Sequence, residues 1–465
     1  MTKDLNKKNI DFFPTPYGNN DNLLSLLNRT SDLICKWFSE TNNLGPLPHN
    51  NDFIPSTPQV DGCEIDTLLE DIESLIYTSF NPVHPGSLAH LDPPPLSISI
   101  LGDLIASGLN NNLLAEELSP SISKLEDQIC KWFAKEIGFN DNSGGIAASG
   151  GTLNNLNALV TAKYCSEMNI DNEPVLILSR DAHVSFKKCG RILGIQEENI
   201  ILVETNNNGC MDAILLYKAI QNIIKTGKKI IAIVATLGTT FRGALDPINK
   251  IGLICKQHNI WFHIDASIGG VFLLTKNKVS VFSDLNLKDA NSITINPQKI
   301  LGIAKTSSLL LVSDFEKLKE TFHTGLPYID STNDVINRGE LGVQGSRPAE
   351  IIKLWLGLRF LGIKGIDEIL NEAVRKKNLF NKLLDKNKFE TFSSPLHIVS
   401  FLPKFMNQQS SNNWTLFAKK ELLRNKYMIS RPYYQKQYYL RIVFGNFNTK
   451  DKNIILLAEL LNNLI

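Results

Sequence analysis

From about residue 175 the chain alternates short apolar runs with longer amphipathic stretches. The runs 175–179, 200–203, 230–235, 261–266, 292–295 and 308–313 are β-favouring and predict strands. Residues 153–168, 184–193, 211–226 and 248–258 carry apolar positions at helical spacing between most of them. Strands alternating with helices predict a mainly parallel sheet covered on both faces. The flanks read differently. Leu23, Leu24, Leu26, Leu27, Leu33, Ile34, Trp37 and Phe38 approximate one helical stripe, and Leu68, Leu69, Ile72, Leu75 and Ile76 mark a second helix over 67–80. Residues 81–95 contain five prolines, which deny them a helix or a central strand. Helices return over 98–109 and over 121–137, where Pro120 suits a helix start. Beyond Arg347 a helix over 348–361 precedes β-like pieces at 398–402 and 438–444 and a last apolar helix ending at Leu464. The expected organisation is an N-terminal helical arm (1–80), a large α/β domain (81–345) and a small α+β domain (346–465).

Composition narrows the partners. With 48 basic and 47 acidic residues the net charge is +1, so neither a nucleic acid nor an anionic membrane surface is an expected partner. No apolar run approaches the roughly 20 residues of a membrane span, and the polar stretch at Met1-Thr-Lys-Asp lacks a signal core. Seven scattered cysteines with no C-x-x-C pair point to reduced thiols and a cytoplasmic setting. His84 and His90 stand six apart without a cysteine, which is not a metal-ligand spacing, and no metal is expected.

Candidate chemistry gathers at predicted strand ends. Asn296-Pro297 should stop the strand 292–295 and present Lys299 at its edge. A lysine in an enclosed pocket can lose its proton and form a Schiff base. Ser149-Gly150-Gly151-Thr152 sits where a helix starts and could cradle a phosphate on free N–H groups; a glycine turn with a threonine cap is the plainer account of that segment alone. Asp265 lies in an otherwise apolar strand and needs a cationic partner, which a structural ion pair would also supply. Asp265 and Lys299 are about one βα unit apart and can share a sheet edge. A carboxylate at a pyridine nitrogen and a lysine at the other end of the ring are what pyridoxal phosphate requires. His183, in Asp181-Ala-His183, could stack on such a ring or serve as an ordinary loop histidine.

Taken together, these motifs resemble the group II pyridoxal-phosphate-dependent amino-acid decarboxylases, which include the aromatic amino acid, glutamate and diaminobutyrate enzymes. The carrying residues are Ser149-Gly-Gly-Thr-x-x-Asn155, Asp181-Ala-His183, Thr236-Leu-Gly-Thr-Thr240, His263-Ile-Asp265-Ala, Asn296-Pro-x-Lys299, Gly345-Ser-Arg347 and Leu440-Arg441-Ile-Val. The resemblance implies a fold-type I α/β architecture, with a mainly parallel sheet in the large domain, and a homodimer whose active site lies near the subunit interface. It implies that Lys299 holds the cofactor covalently, Asp265 keeps the pyridine nitrogen protonated, and His183 stacks on the ring. Gly151, Thr152 and Asn296 would hold the phosphate with Thr240 nearby, Ser267 would pack under the ring, and Tyr328 would protonate the α-carbon. The implied reaction converts an L-amino acid to its amine and CO2; an aldehyde synthase or carbon–carbon lyase activity on the same cofactor is the alternative. Two positions depart from the family pattern, which usually has histidine where Gln298 stands and alanine at Ser267. The segment 89–93 is poorer in aromatics than in the aromatic decarboxylases, and Asp92 within it could pair with a basic side chain or, as the plainer account, cap a turn before the prolines.

Overall fold

The computed structural model describes residues 13–48, 55–58, 60, 62–168, 172–275, 280–325 and 336–465. Its central sheet is built from β1 (Gly144–Ala148), β2 (Pro174–Ser179), β3 (Ile200–Val203), β4 (Lys229–Thr236), β5 (Trp261–Ala266), β6 (Ser292–Ile295) and β7 (Ser308–Val312). The spatial order is β1-β7-β6-β5-β4-β2-β3. The expected parallel sheet is present with one exception. Strand β7 is antiparallel to both β6 and β1, so six strands point one way and β7 the other.

Both faces are buried, and the period of two along each strand sorts the side chains. On β2, Val175 and Ile177 join the core beneath the sheet, while Leu176 and Leu178 join the one above it. Helix α5 (Gly151–Cys165) and the shorter α6 (Ser185–Ile192) cover that upper face. On the lower face lie α4 (Pro120–Glu136), α7 (Ala213–Lys225) and α8 (Ile248–Gln257). Before them come α1 (Asp21–Leu44), α2 (Ile65–Tyr77) and α3 (Ser97–Leu109). Helix α9 (Phe315–Phe322) closes the β1–β7 edge, where Phe315 and Leu318 pack on Ile146, Leu310 and Val312.

Strand β1 carries no β-branched signal apart from Ile146, and its glycines are steric requirements. A Cβ on Gly145 would lie 2.2 Å from the Leu310 carbonyl oxygen, so the close β1–β7 approach admits only glycine there. The helix expected over 348–361 runs further, as α10 (Ile351–Leu383), with non-helical backbone at Gly362 inside it. Arg347, just before α10, makes a bidentate pair with Glu126 of α4 at 3.0 Å on both arms and donates to the Ala147 carbonyl of β1 at 2.8 Å.

The C-terminal residues form two further sheets. Strands β8 (Phe389–Ser393) and β9 (Ile398–Pro403), the short pair β10 (Tyr433–Tyr434) and β11 (Gln437–Tyr438), and β12 (Leu440–Val443) are all antiparallel, with the larger sheet ordered β12-β9-β8. Helices α11 (Gln408–Arg424) and α12 (Asp451–Asn463) back it through Phe380, Phe401, Trp414, Phe444 and Leu457. Among the described residues no helix is long and apolar enough to cross a membrane.

Candidate active site

The carboxyl ends of the parallel strands meet at one edge of the sheet, and the predicted site residues sit just past them. Strand β1 leads into Ser149 to Thr152, β2 into Asp181 and His183, β4 into Thr239 and Thr240, β5 into Ser267, and β6 into Asn296 and Lys299. Asp265 is the penultimate residue of β5. One cavity of about 540 Å³ brings together Lys299, Asp265, His183, Gly151, Thr152, Thr240, Ser267 and Asn296. An edge of this kind is where ligands bind in open α/β sheets. Tyr328 lies outside the described residues.

The period of two places Trp261, His263 and Asp265 on the same face of β5, under α5. Their polar atoms join a directed chain. The Trp261 indole N–H, which can only donate, bonds Ser292 Oγ at 2.9 Å. Ser292 Oγ lies 2.8 Å from His263 Nδ1, and His263 Nε2 lies 3.1 Å from Asn155 Oδ1. Burial pushes His263 down to about 4, so its ring is neutral, and the acceptor at Asn155 assigns the proton to Nε2. Asn155 Nδ2 then faces Asp265 Oδ2 at 3.5 Å and Ser185 Oγ at 3.4 Å, and the Ser267 amide donates to Asp265 Oδ1 at 3.1 Å. Asp265 is 4% exposed, and these partners are neutral donors. A buried carboxylate so placed calls for a cation.

Asn155 is thus a hub joining Asp265, His263 and the Ser185–His183 pair. His183 Nδ1 accepts from the Ser185 amide at 3.2 Å. Burial is the main cause that lowers the His183 pKa; Lys299 lowers it further and Asp265 partly restores it. The imidazole therefore favours its neutral form and lines the cavity.

Gly150 and Gly151 stand at the start of α5. A Cβ on Gly151 would lie 2.8 Å from Ser267 Oγ and 2.9 Å from Asn296 Nδ2, so only glycine leaves the start of α5 open. Ser308 Oγ donates to Asn296 Oδ1 at 2.6 Å and accepts from Asn154 Nδ2 at 2.7 Å. With its oxygen occupied, Asn296 turns its amide N–H groups toward the start of α5; there the Leu153 and Asn154 N–H groups bond the Gly150 carbonyl, and among the described residues those of Gly151 and Thr152 are left for an anion. Thr236 Oγ1, also on the cavity wall, is buried with no hydrogen-bond partner among the described residues.

Pro297 ends β6 and starts a helical turn, Pro297–Ile300, that carries Lys299. Burial lowers the amine's pKa from its ordinary value; Asp265 and Asp92 oppose the shift, and Arg441 adds to it. Gln298 Oε1 accepts from the Ser307 amide at 2.6 Å, which orients its NH2 group and leaves a side chain that does not titrate. Lys353, fully buried, donates to the Lys305 carbonyl at 3.0 Å and ties this loop to α10.

Two findings go beyond the sequence reading. Asp92 pairs with a basic side chain of the chain itself, Lys305 at 3.1 Å, because the chain after Lys299 returns beside the proline segment. Arg441, on β12, donates to the carbonyls of Thr240 (2.6 Å) and Ala89 (3.1 Å) and to Ser430 Oγ (2.9 Å). These partners are uncharged, and the mostly buried guanidinium is close enough to Lys299 for its charge to help lower the lysine pKa. The sequence signal for it was an arginine inside an otherwise apolar strand.

Comparison with known proteins accounts for this arrangement. The acidic amino acid decarboxylase GADL1 of Homo sapiens is 30% identical over 341 residues, covering 70% of this chain and 65% of that protein; the match thus spans just under two thirds of the human protein. The aromatic-L-amino-acid decarboxylase of Bacillus atrophaeus is 27% identical over 383 residues, covering 81% and 79%. Among solved structures, Oryza sativa TDC with PLP and tryptamine superimposes with a TM-score of 0.89 at 19% identity, covering 97% of this chain and 99% of that one. Mouse CSAD gives 0.89 at 21% identity, covering 96% and 99%. These structural likenesses establish the shared fold. The family model described as the pyridoxal-dependent decarboxylase conserved domain matches residues 48–402, and the chain therefore belongs to the pyridoxal-phosphate-dependent decarboxylase family.

Proposed function

We propose that this protein decarboxylates an L-amino acid to the corresponding amine and CO2, with pyridoxal phosphate held through Lys299. The observation that carries the reading is Asp265: a buried carboxylate, oriented by neutral donors, in one cavity with a lysine whose amine is pushed toward its neutral form. The residues present fit the cofactor. Gly151, Thr152 and Asn296 would hold its phosphate at the start of α5, Asp265 would face its pyridine nitrogen, and His183, Thr240 and Ser267 would pack around the ring. When bound, the cofactor supplies an electron sink for the pair released as CO2 leaves.

The chain's own groups do the rest. Asp265 favours a protonated nitrogen opposite it. The neutral Lys299 amine is the nucleophile for covalent attachment. Arg441 supplies a cation for the substrate carboxylate, which fixes the direction of the bond to be broken. Tyr328 delivers the proton that replaces CO2 on the α-carbon, one proton for each CO2 released. The direct test is to incubate the cofactor-loaded protein with pooled L-amino acids and identify products by mass spectrometry. Amine and CO2 in equal amounts are expected; a protein that takes up the cofactor and forms neither would overturn the reading.

Tyr328→Phe separates this reading from the aldehyde-synthase alternative. CO2 release should persist while amine yield falls and aldehyde rises with O2 consumption. Unchanged amine yield would remove Tyr328 from the proton-delivering role.

A second copy of the chain is the proposed partner. Ile100, Leu101, Leu104, Ile105 and Leu109 form an exposed apolar stripe along α3, a surface of the kind that marks an interface. Light scattering should return about twice the 51.9 kDa chain mass; the single-chain mass would refute it. All seven cysteines are free, which supports a reducing, cytoplasmic location, to be checked by cell fractionation.

A further inference from the structure

Tyr434 stands on β10, 253 positions from Asp181 in sequence, yet its hydroxyl donates to Asp181 Oδ2 at 2.8 Å. Its ring stacks on Phe241 with centroids 4.0 Å apart and planes 16° from parallel. Phe241 directly follows Thr240 in the chain. Tyr439 packs edge-on against the same ring at 4.8 Å. The Arg242 guanidinium lies against Phe241, Phe392 and Tyr434 at 5.4, 5.2 and 5.7 Å, and its NH1 donates to the Asn207 carbonyl at 2.9 Å.

This cluster joins the exits of two neighbouring strands. The exit of β2 carries Asp181 and, two residues on, His183; the exit of β4 carries Thr239 and Thr240. All four line the cavity. A loop leaving a strand is ordinarily free to shift unless something outside the strand pins it. Here one phenol from the C-terminal hairpin touches both loops, by a hydrogen bond on one side and a ring stack on the other.

We propose that Tyr434 is a positioning residue for the cofactor cavity, locking the turn that carries His183 and the loop that carries Thr239 and Thr240 into one arrangement. The inference rests on the reading of this cavity as the pyridoxal phosphate site. It goes further in assigning the alignment of two cavity walls to a residue that does not line the cavity.

The test is a double-mutant cycle on cofactor affinity, measured by absorbance titration of the apo protein with pyridoxal phosphate. Y434F keeps the stacked ring and removes only the hydroxyl; D181A removes the acceptor. Each should weaken cofactor binding about three- to tenfold, the range of one lost hydrogen bond. The double variant should lose no more than either single, because both remove the same link. The apo-protein melting temperature of Y434F should match the wild type, which separates positioning from folding. Y434F affinity within twofold of wild type, or losses that multiply in the double variant, overturns the proposal. A wild type that takes up no pyridoxal phosphate overturns the site reading and this one with it, whereas normal wild-type uptake with an unaffected Y434F overturns this one alone.

Discussion

Lys299→Ala should form no amine above background from any amino acid that the wild type decarboxylates. The substitution removes the amine that would hold the cofactor and the base that would assist its exchange. General acid–base assistance alone is worth about 100- to 10,000-fold, and loss of covalent attachment adds to it. The fold should survive, because the amine is held by no ion pair among the described residues, and an apo-protein melting curve checks this. The pH dependence has a definite sign. Burial lowers the Lys299 pKa, so the neutral nucleophile persists to lower pH than for a free lysine. Cofactor capture should decline as pH falls through that depressed value, as more of the amine becomes protonated. Turnover by Lys299→Ala at the wild-type rate would end the proposed role.

Asp265→Asn should lower kcat by about 10- to 1,000-fold with the cofactor at saturation. The figure follows from an opposite charge that shifts a partner's pKa by about 1–3 units, each unit being about 1.4 kcal/mol. The substitution isolates charge from shape. The amide keeps one acceptor oxygen, which can take the shorter bond, from the Ser267 amide at 3.1 Å, and only the 3.5 Å contact with Asn155 Nδ2 is lost to its NH2 group. Cofactor binding and folding should therefore change less than kcat. A variant with kcat within twofold of wild type would show that no buried cation depends on Asp265. Asn155→Ala is the informative partner in such measurements, since it removes the donor and leaves the charge.

Much of this was legible in the sequence, for identifiable reasons. Strands β2 to β7 announced themselves because β-branched and apolar runs are bounded by turn formers. Strand β1 did not, since its two glycines, set by the Phe315 ring at Gly144 and by the Leu310 backbone at Gly145, carry no propensity of their own. The reversal of β7 was invisible because Leu309 to Val312, buried on both faces, would look the same in either direction. Helix α10 seemed to end near Leu361 because a glycine follows, yet the chain resumes helical geometry beyond Gly362. At the site, Lys299, Asp265, His183 and the glycine cradle stood out because each lies where a strand stops. The Trp261–Ser292–His263–Asn155 chain did not, because it depends on which faces of β5, β6 and α5 meet. Arg441 was marked by the Leu440-Arg441-Ile-Val motif but not given a contact, and Tyr434, 135 positions after Lys299, lies where no local pattern refers to the cavity.

The reversal of β7 bears on how precisely Lys299 can be held. Because β7 runs back along β6, with Ile295 opposite Leu309, the segment carrying the lysine leaves the sheet and returns to the adjacent strand. Its two ends are fixed by one ladder, and Ser308 to Asn296 and Ser307 to Gln298 cross-link it near the base. Closing a loop of about a dozen residues has a modest entropic cost, which grows only slowly with length. Few conformations are then left to the lysine when a ligand arrives. The amine's placement is inherited from strand pairing between neighbours in sequence, and the entropy of ordering it is met when the chain folds, before any ligand binds.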